Sequence, residues 1–119
     1  MTRILCLYTG GTIGCQPTPS GLAPIPGILT APLRELAKQQ SIDLCLQEYP
    51  QLLDSSSMGP ASWNRIGLDI ARQYDDFDAF VVLHGTDTLA YTAAALSFQL
   101  ENLGKPVIIT GSQRPWFTP

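Results

Sequence analysis

Residues 4–14, ILCLYTGGTIG, decide the fold. Residues 4–8 are apolar without interruption, and the run stops at Thr9-Gly10-Gly11. A strand with one wet face alternates apolar and polar side chains. A short unbroken apolar run belongs instead to a strand buried on both faces, as in a parallel sheet covered by helices. The glycines and hydroxyls that follow mark a loop at the strand's carboxyl end.

Outward from this stretch the pattern repeats in kind. Residues 15–27 carry Pro17, Pro19, Pro24 and Pro26 with Gly21 and Gly27. So many prolines exclude a helix and predict a loop. Thr30 is placed to cap a helix with Pro32 in its first turn and Leu33, Leu36 and Ala37 on one face, running to about Gln40. Residues 43–49 read as a strand that breaks at Pro50, and residues 53–58 as a serine-rich loop. Pro60 opens a second helix, with Trp63, Ile66, Ile70 and Tyr74 at helical spacing as core. Asp75, Asp76 and Asp78 form a turn. Phe77 and residues 79–83 (AFVVL) read as a buried strand, and residues 84–88 as the loop after it. A helix is expected over residues 89–103, with Gly104 as its stop and Pro106 beyond. Residues 107–109 make a fourth strand ending in Thr110-Gly111-Ser112. Strands alternating with helices predict an α/β fold with a parallel sheet and right-handed crossovers.

The 119 residues suit one modest domain, and 45% hydrophobic content supplies a core. A net charge of −3 with scattered Lys and Arg argues against nucleic acid as a partner. No apolar stretch approaches a membrane span and no secretion signal is visible, so no membrane association is expected. Cys6, Cys15 and Cys45 have no paired spacing and read as reduced thiols of a cytoplasmic protein.

In an open parallel sheet, ligands bind beyond the carboxyl ends of the strands. The four candidate loops are residues 9–14, 54–57, 84–88 and 110–113. They gather hydroxyls, glycines and the carboxylates Asp54 and Asp87. With His84 as the lone histidine and no cysteine cluster, a zinc site has too few ligands. No G-x-S-x-G elbow is present. Thr9 stands where a dinucleotide motif needs its first glycine, and a prolyl loop follows where that motif needs a helix. A hydroxyl nucleophile among polar neighbours fits best.

The segments Thr9-Gly10-Gly11-Thr12-Ile13-Gly14 and His84-Gly85-Thr86-Asp87-Thr88-Leu89 resemble the two signatures of bacterial L-asparaginases. Asp54-Ser55-Ser56 and Thr110-Gly111-Ser112-Gln113-Arg114-Pro115 lie between and after them, as in the cytoplasmic (type I) branch. The resemblance covers essentially the whole chain. It implies a Rossmann-like, three-layer N-terminal domain, incomplete at its C-terminal end, with the family's C-terminal domain absent. It further implies hydrolysis of L-asparagine to L-aspartate and ammonia without metal or cofactor. Thr12 matches the nucleophile. Thr86 and Asp87 match a proton-handling pair in which Asp87 also holds the substrate's α-ammonium. Ser55 matches the residue that binds the α-carboxylate, Ser56 completes that contact, and Gly11 lets the backbone approach the substrate. His84 is expected to orient its loop by hydrogen bonds, and Cys15 to do no chemistry. A homodimer or homotetramer is implied, a neighbouring subunit closing the site.

Three departures accompany the resemblance. Leu22 stands where many relatives carry a tyrosine that helps activate the threonine, and Ser57 where an aspartate is usual. The chain ends at Pro119, before the lysine that completes the Thr-Asp-Lys group, and Lys38 and Lys105 sit away from the site loops. The 119-residue chain by itself is therefore expected to be inactive, with an unpaired sheet edge. A glutaminase, an amidotransferase subunit of the same fold and an inactive amino-acid-binding fragment are the alternatives.

Overall fold

Burial on both faces makes the first apolar run the middle of the sheet. In the computed structural model, which describes residues 2–53, 59–99 and 104–116, strand β1 (Thr2–Gly10) has parallel neighbours on both sides. They are β4 (Ile42–Leu53) and β5 (Ala79–Leu83), and β6 (Val107–Thr110) pairs with β5, giving the order β4-β1-β5-β6. The pairing register sets Leu5 beside Cys45 and Phe80, and Leu7 beside Gln47 and Val82. Alternate residues thus line opposite faces of one sheet.

Each face has its own helices. Helices α2 (Pro60–Arg72) and α3 (Leu89–Gln99) cover the face that carries Leu5, Leu7, Phe80 and Val82, contributing Ile66, Ile70 and Leu96. Helix α1 (Thr30–Gln39) lies on the other face, where Cys6, Tyr8 and Leu83 meet Leu29 and Leu33. This division follows from the order of the strands. The chain steps from β1 to β4 in one direction and from β4 back past β1 to β5 in the other. With right-handed crossovers, reversing direction changes the face on which the connecting helix lies. Consequently the loop after β1 leads toward one face and the loop after β5 toward the other. The crevice that opens between them is where such sheets bind ligands.

Three sequence expectations are corrected. Residues 15–27 are not simply a loop. They contain an antiparallel hairpin, β2 (Cys15–Thr18) with β3 (Gly21–Pro24), in which Pro17 pairs with Leu22 and Pro24 with Cys15. A two-stranded ribbon has only edge strands, which tolerate a residue without an N–H. Strand β4 does not break at Pro50. It runs on to Leu53, with Pro50 inside an irregular stretch where Tyr8 pairs with Glu48 but Gly10 with Leu53. Pro50 is admitted because β4 is an edge strand and the ladder is interrupted there. Thr30 is the first residue of α1 and not its cap, the flanking position being Leu29, whose side chain makes no capping bond. The third helix is described as far as Gln99, so the expected stop at Gly104 falls beyond a stretch outside the described residues.

The core on the α2–α3 side centres on Phe80, fully buried, stacked on Tyr74 at 5.8 Å and edge-on to Phe77 at 6.2 Å. Phe80→Ala removes the ring and leaves a cavity between rigid neighbours. We expect a loss of about 3–5 kcal/mol in urea unfolding. A loss under about 1 kcal/mol would show that the sheet is not anchored there.

Candidate active site

The tips of β1, β5 and β6 are bound to one another before any catalytic side chain is considered. Thr9, fully buried at the end of β1, donates its hydroxyl to the Leu83 carbonyl at 2.8 Å. The His84 N–H donates to the Thr110 carbonyl at 2.9 Å. From the loop after β6, the Trp116 N–H reaches back to the Ile13 carbonyl at 2.9 Å. Three loops that are far apart in sequence therefore form one connected rim.

Backbones approach each other closely at this rim. Gly11 has φ +104°, a conformation that side-chain-bearing residues rarely adopt. A Cβ on it would lie 2.8 Å from the Gly85 nitrogen and 2.9 Å from its Cα. Gly111 is similarly confined, since a Cβ there would run into the His84 carbonyl oxygen. The glycines of the motifs thus let the loop after β1 and the loop after β6 lie directly on the backbone of the loop after β5.

This contact brings the loop that carries Thr12 against the backbone of the loop that carries Thr86 and Asp87. Thr12 begins a single tight helical turn, Thr12–Gly14, closed by the Gly14 N–H on the Gly11 carbonyl at 3.3 Å and backed by the Cys15 thiol on the same carbonyl at 3.5 Å. Thr12 and Thr86 are half-buried and Asp87 is exposed. Among the described residues no hydrogen bond engages either hydroxyl and no ion pair engages Asp87. Ser55 and Ser56 lie outside the described residues, although Leu53, just before that stretch, pairs with Gly10 at the same rim.

The Cys6 and Cys15 thiols are poor competitors as nucleophiles. Burial pushes Cys6 up to about 12, and burial also raises Cys15. Tyr8, fully buried beneath the turn, is likewise pushed up to about 12, first by burial and then by Cys15 and Glu48. Neither lysine reaches the rim. Lys105 precedes β6, donates to the Tyr74 carbonyl at 2.6 Å and lies over the Tyr74 ring at 4.7 Å. Lys38 is in the last turn of α1. Leu22, where an activating tyrosine was looked for, is 57% exposed on the hairpin and carries no proton to exchange. Among the described residues no cluster of His, Cys, Asp and Glu could hold a metal ion, and no helix is long and apolar enough to cross a membrane.

His84 is fully buried, with Nε2 2.9 Å from the Thr92 hydroxyl and Nδ1 2.6 Å from the Gly85 carbonyl. The Trp63 indole N–H donates to the same hydroxyl at 2.9 Å. Sequence reading put Trp63 in the core and passed over Thr92. The available signal was a threonine within the largely apolar run of residues 89–96, a position where its hydroxyl needs a partner.

Comparison with known proteins agrees with this geometry. The sequence matches the family described as Asparaginase, N-terminal, over residues 3–119. It is 54% identical over 115 residues to L-asparaginase 1 of Escherichia coli K12, covering 94% of this chain and 34% of that protein. The crystal structure of L-asparaginase I from Vibrio cholerae superposes with a TM-score of 0.88 at 46% identity, over 98% of this chain and 36% of the other. The thermostable L-asparaginase of Thermococcus kodakarensis gives 0.84 at 37% identity, again over 98% of this chain and 36% of the other. The chain belongs to the asparaginase family and spans about a third of the length of these relatives.

The glycine contact is open to a direct test. Gly11→Ala adds a methyl that meets the Gly85 backbone and strains a positive φ. We expect about 1–3 kcal/mol of lost stability, together with displaced amide resonances at residues 84–88. Unchanged resonances in that loop would disprove the contact.

Proposed function

We propose that this chain carries the nucleophile and part of the substrate cradle of an L-asparaginase. In this reading the Thr12 hydroxyl attacks the side-chain amide carbon of L-asparagine and forms a carbon–oxygen bond. The carbon–nitrogen bond then breaks, and ammonia leaves with the proton given up by the threonine. Water adds to the resulting acyl-threonine, returning the hydroxyl and releasing L-aspartate. The observation that supports this reading is the Gly11–Gly85 backbone contact, which brings the loop that carries Thr12 against the loop that carries Thr86 and Asp87.

The remaining roles are those that the family resemblance implies. Asp87, exposed at the rim, supplies the counter-charge for the α-ammonium. Thr86 passes protons beside Thr12. Ser55 and Ser56 receive the α-carboxylate. The lysine that the family resemblance adds to the proton-handling group is supplied by neither Lys38 nor Lys105, both of which lie away from the strand tips. We place residues 1–119 as one part of an N-terminal domain, completed by further polypeptide of the length seen in the relatives. The assembly would be a homodimer or homotetramer in which a neighbouring subunit closes the site. Three cysteines, none in a disulfide, support a cytoplasmic setting.

Ammonia release from L-asparagine, with L-glutamine in parallel, tests the proposal on a form extended to the relatives' length. Thr12→Val should lower kcat to below about one thousandth while the circular dichroism spectrum stays the same. Undiminished turnover would refute the nucleophile assignment. Asp87→Asn removes a charge-assisted contact worth about 1.5–3 kcal/mol, so KM for asparagine should rise about 10–100-fold. An unchanged KM would take the α-ammonium away from Asp87.

A further inference from the structure

We infer that Trp63 and Thr92 are positioning residues for the Thr86–Asp87 loop and act on it through His84. The inference deepens the reading of Thr86 and Asp87 as site residues. Its structural basis is a run of three hydrogen bonds that, with a neutral imidazole, has only one self-consistent arrangement of protons. The Gly85 carbonyl can only accept, so the bond at 2.6 Å requires a proton on His84 Nδ1. In the neutral ring Nε2 is then bare, and the Thr92 hydroxyl, 2.9 Å away, must donate to it. With its proton committed, the Thr92 oxygen accepts from the Trp63 indole, which can only donate, at 2.9 Å. Each donor finds one acceptor, and the order runs from α2 through α3 to the loop.

Thr92 and His84 are both fully buried, so water cannot substitute for a missing partner. An unmet polar group there costs more than the bond itself is worth. Thr92 is also held along its helix, its N–H donating to the Thr88 carbonyl at 3.0 Å. The relay therefore ends on a fixed point, the Gly85 carbonyl.

That end point matters because of the peptide it belongs to. No peptide bond among the described residues is cis, so the Gly85 carbonyl and the Thr86 N–H point in opposite directions. Holding the carbonyl toward the buried imidazole turns the Thr86 N–H away from it. It also fixes the plane from which the Thr86 side chain and then Asp87 depart. Gly85 is also pressed on Gly11 through its nitrogen and Cα. Relay and glycine contact hold different backbone atoms of the same residue.

Because His84 is the only histidine in the sequence, its imidazole nitrogens can be observed without assignment ambiguity. In the 119-residue chain, nitrogen-15 spectra at neutral pH should show a protonated Nδ1 and a bare Nε2. Thr92→Val should weaken that tautomer preference and speed amide exchange at Gly85, Thr86 and Asp87 about tenfold, with β1 amides unchanged. Thr92→Ser should restore both. In the extended form, Thr92→Val should lower kcat/KM for asparagine about tenfold and Thr92→Ser should rescue it. A wild-type ring protonated on Nε2, or loop exchange unaffected by Thr92→Val, would overturn the proposal. If Thr92→Val does not fold, Trp63→Phe decides: about threefold faster exchange at the same amides supports the relay, and no change refutes it. The two readings fail separately. An intact relay in a wild type that releases no ammonia would count against the asparaginase function alone.

Discussion

The approach of Gly11 to the backbone of Gly85 is the constraint on which the rest of the site depends. Two loops that leave a sheet toward opposite faces would normally diverge. Here they touch, because neither residue at the contact has a side chain. The cost is conformational: Gly11 sits at φ +104°, a region that favours glycine. The return is geometric. A hydroxyl on one loop and a hydroxyl–carboxylate pair on the other are held by main chain rather than by flexible side chains, which is the condition for keeping reacting groups in register.

Support for that contact is spread through the fold. From the rim, Thr9 bonds to Leu83, His84 to Thr110 and Trp116 to Ile13. From beneath, the buried Trp63–Thr92–His84 run connects α2 and α3 to Gly85. From the two faces, separate apolar clusters fix β1 and β5 in place. These layers act on different atoms, yet all of them limit the motion of the same few loop residues. The tip of the hairpin, which carries Leu22, is exposed, while its first residue, Cys15, is buried and bonded to the Gly11 carbonyl.

Several features could be read from the chain alone. The apolar runs at residues 4–8 and 79–83 marked the central strands, because only burial on both faces tolerates such a run. Helix α2 was legible from Pro60 and the spacing of Ile66 and Ile70. The hydroxyl and glycine content of the strand ends pointed to the edge of the sheet where the candidate loops meet. Pro50 and the prolines of residues 15–27 misled. Proline reports what a backbone cannot donate, and whether that matters depends on having a neighbour strand on that side. Edge position is a property of the assembled sheet and cannot be seen locally.

The sequence by itself determined the class of fold, the rim proposed to carry the chemistry and the candidate residues Thr12, Thr86 and Asp87. It could do so because periodicity, glycine placement and side-chain chemistry are local properties. The tertiary structure alone decided which loops meet and which backbone atoms they meet through. It also decided that His84 faces inward to Thr92 and not outward to the rim. Those outcomes rest on the reversal of chain direction at β1 and on contacts between residues as far apart as Trp63 and Thr92 or Ile13 and Trp116. A hydrogen bond between distant residues leaves no spacing pattern in the chain, so only the packed sheet and its helices reveal it.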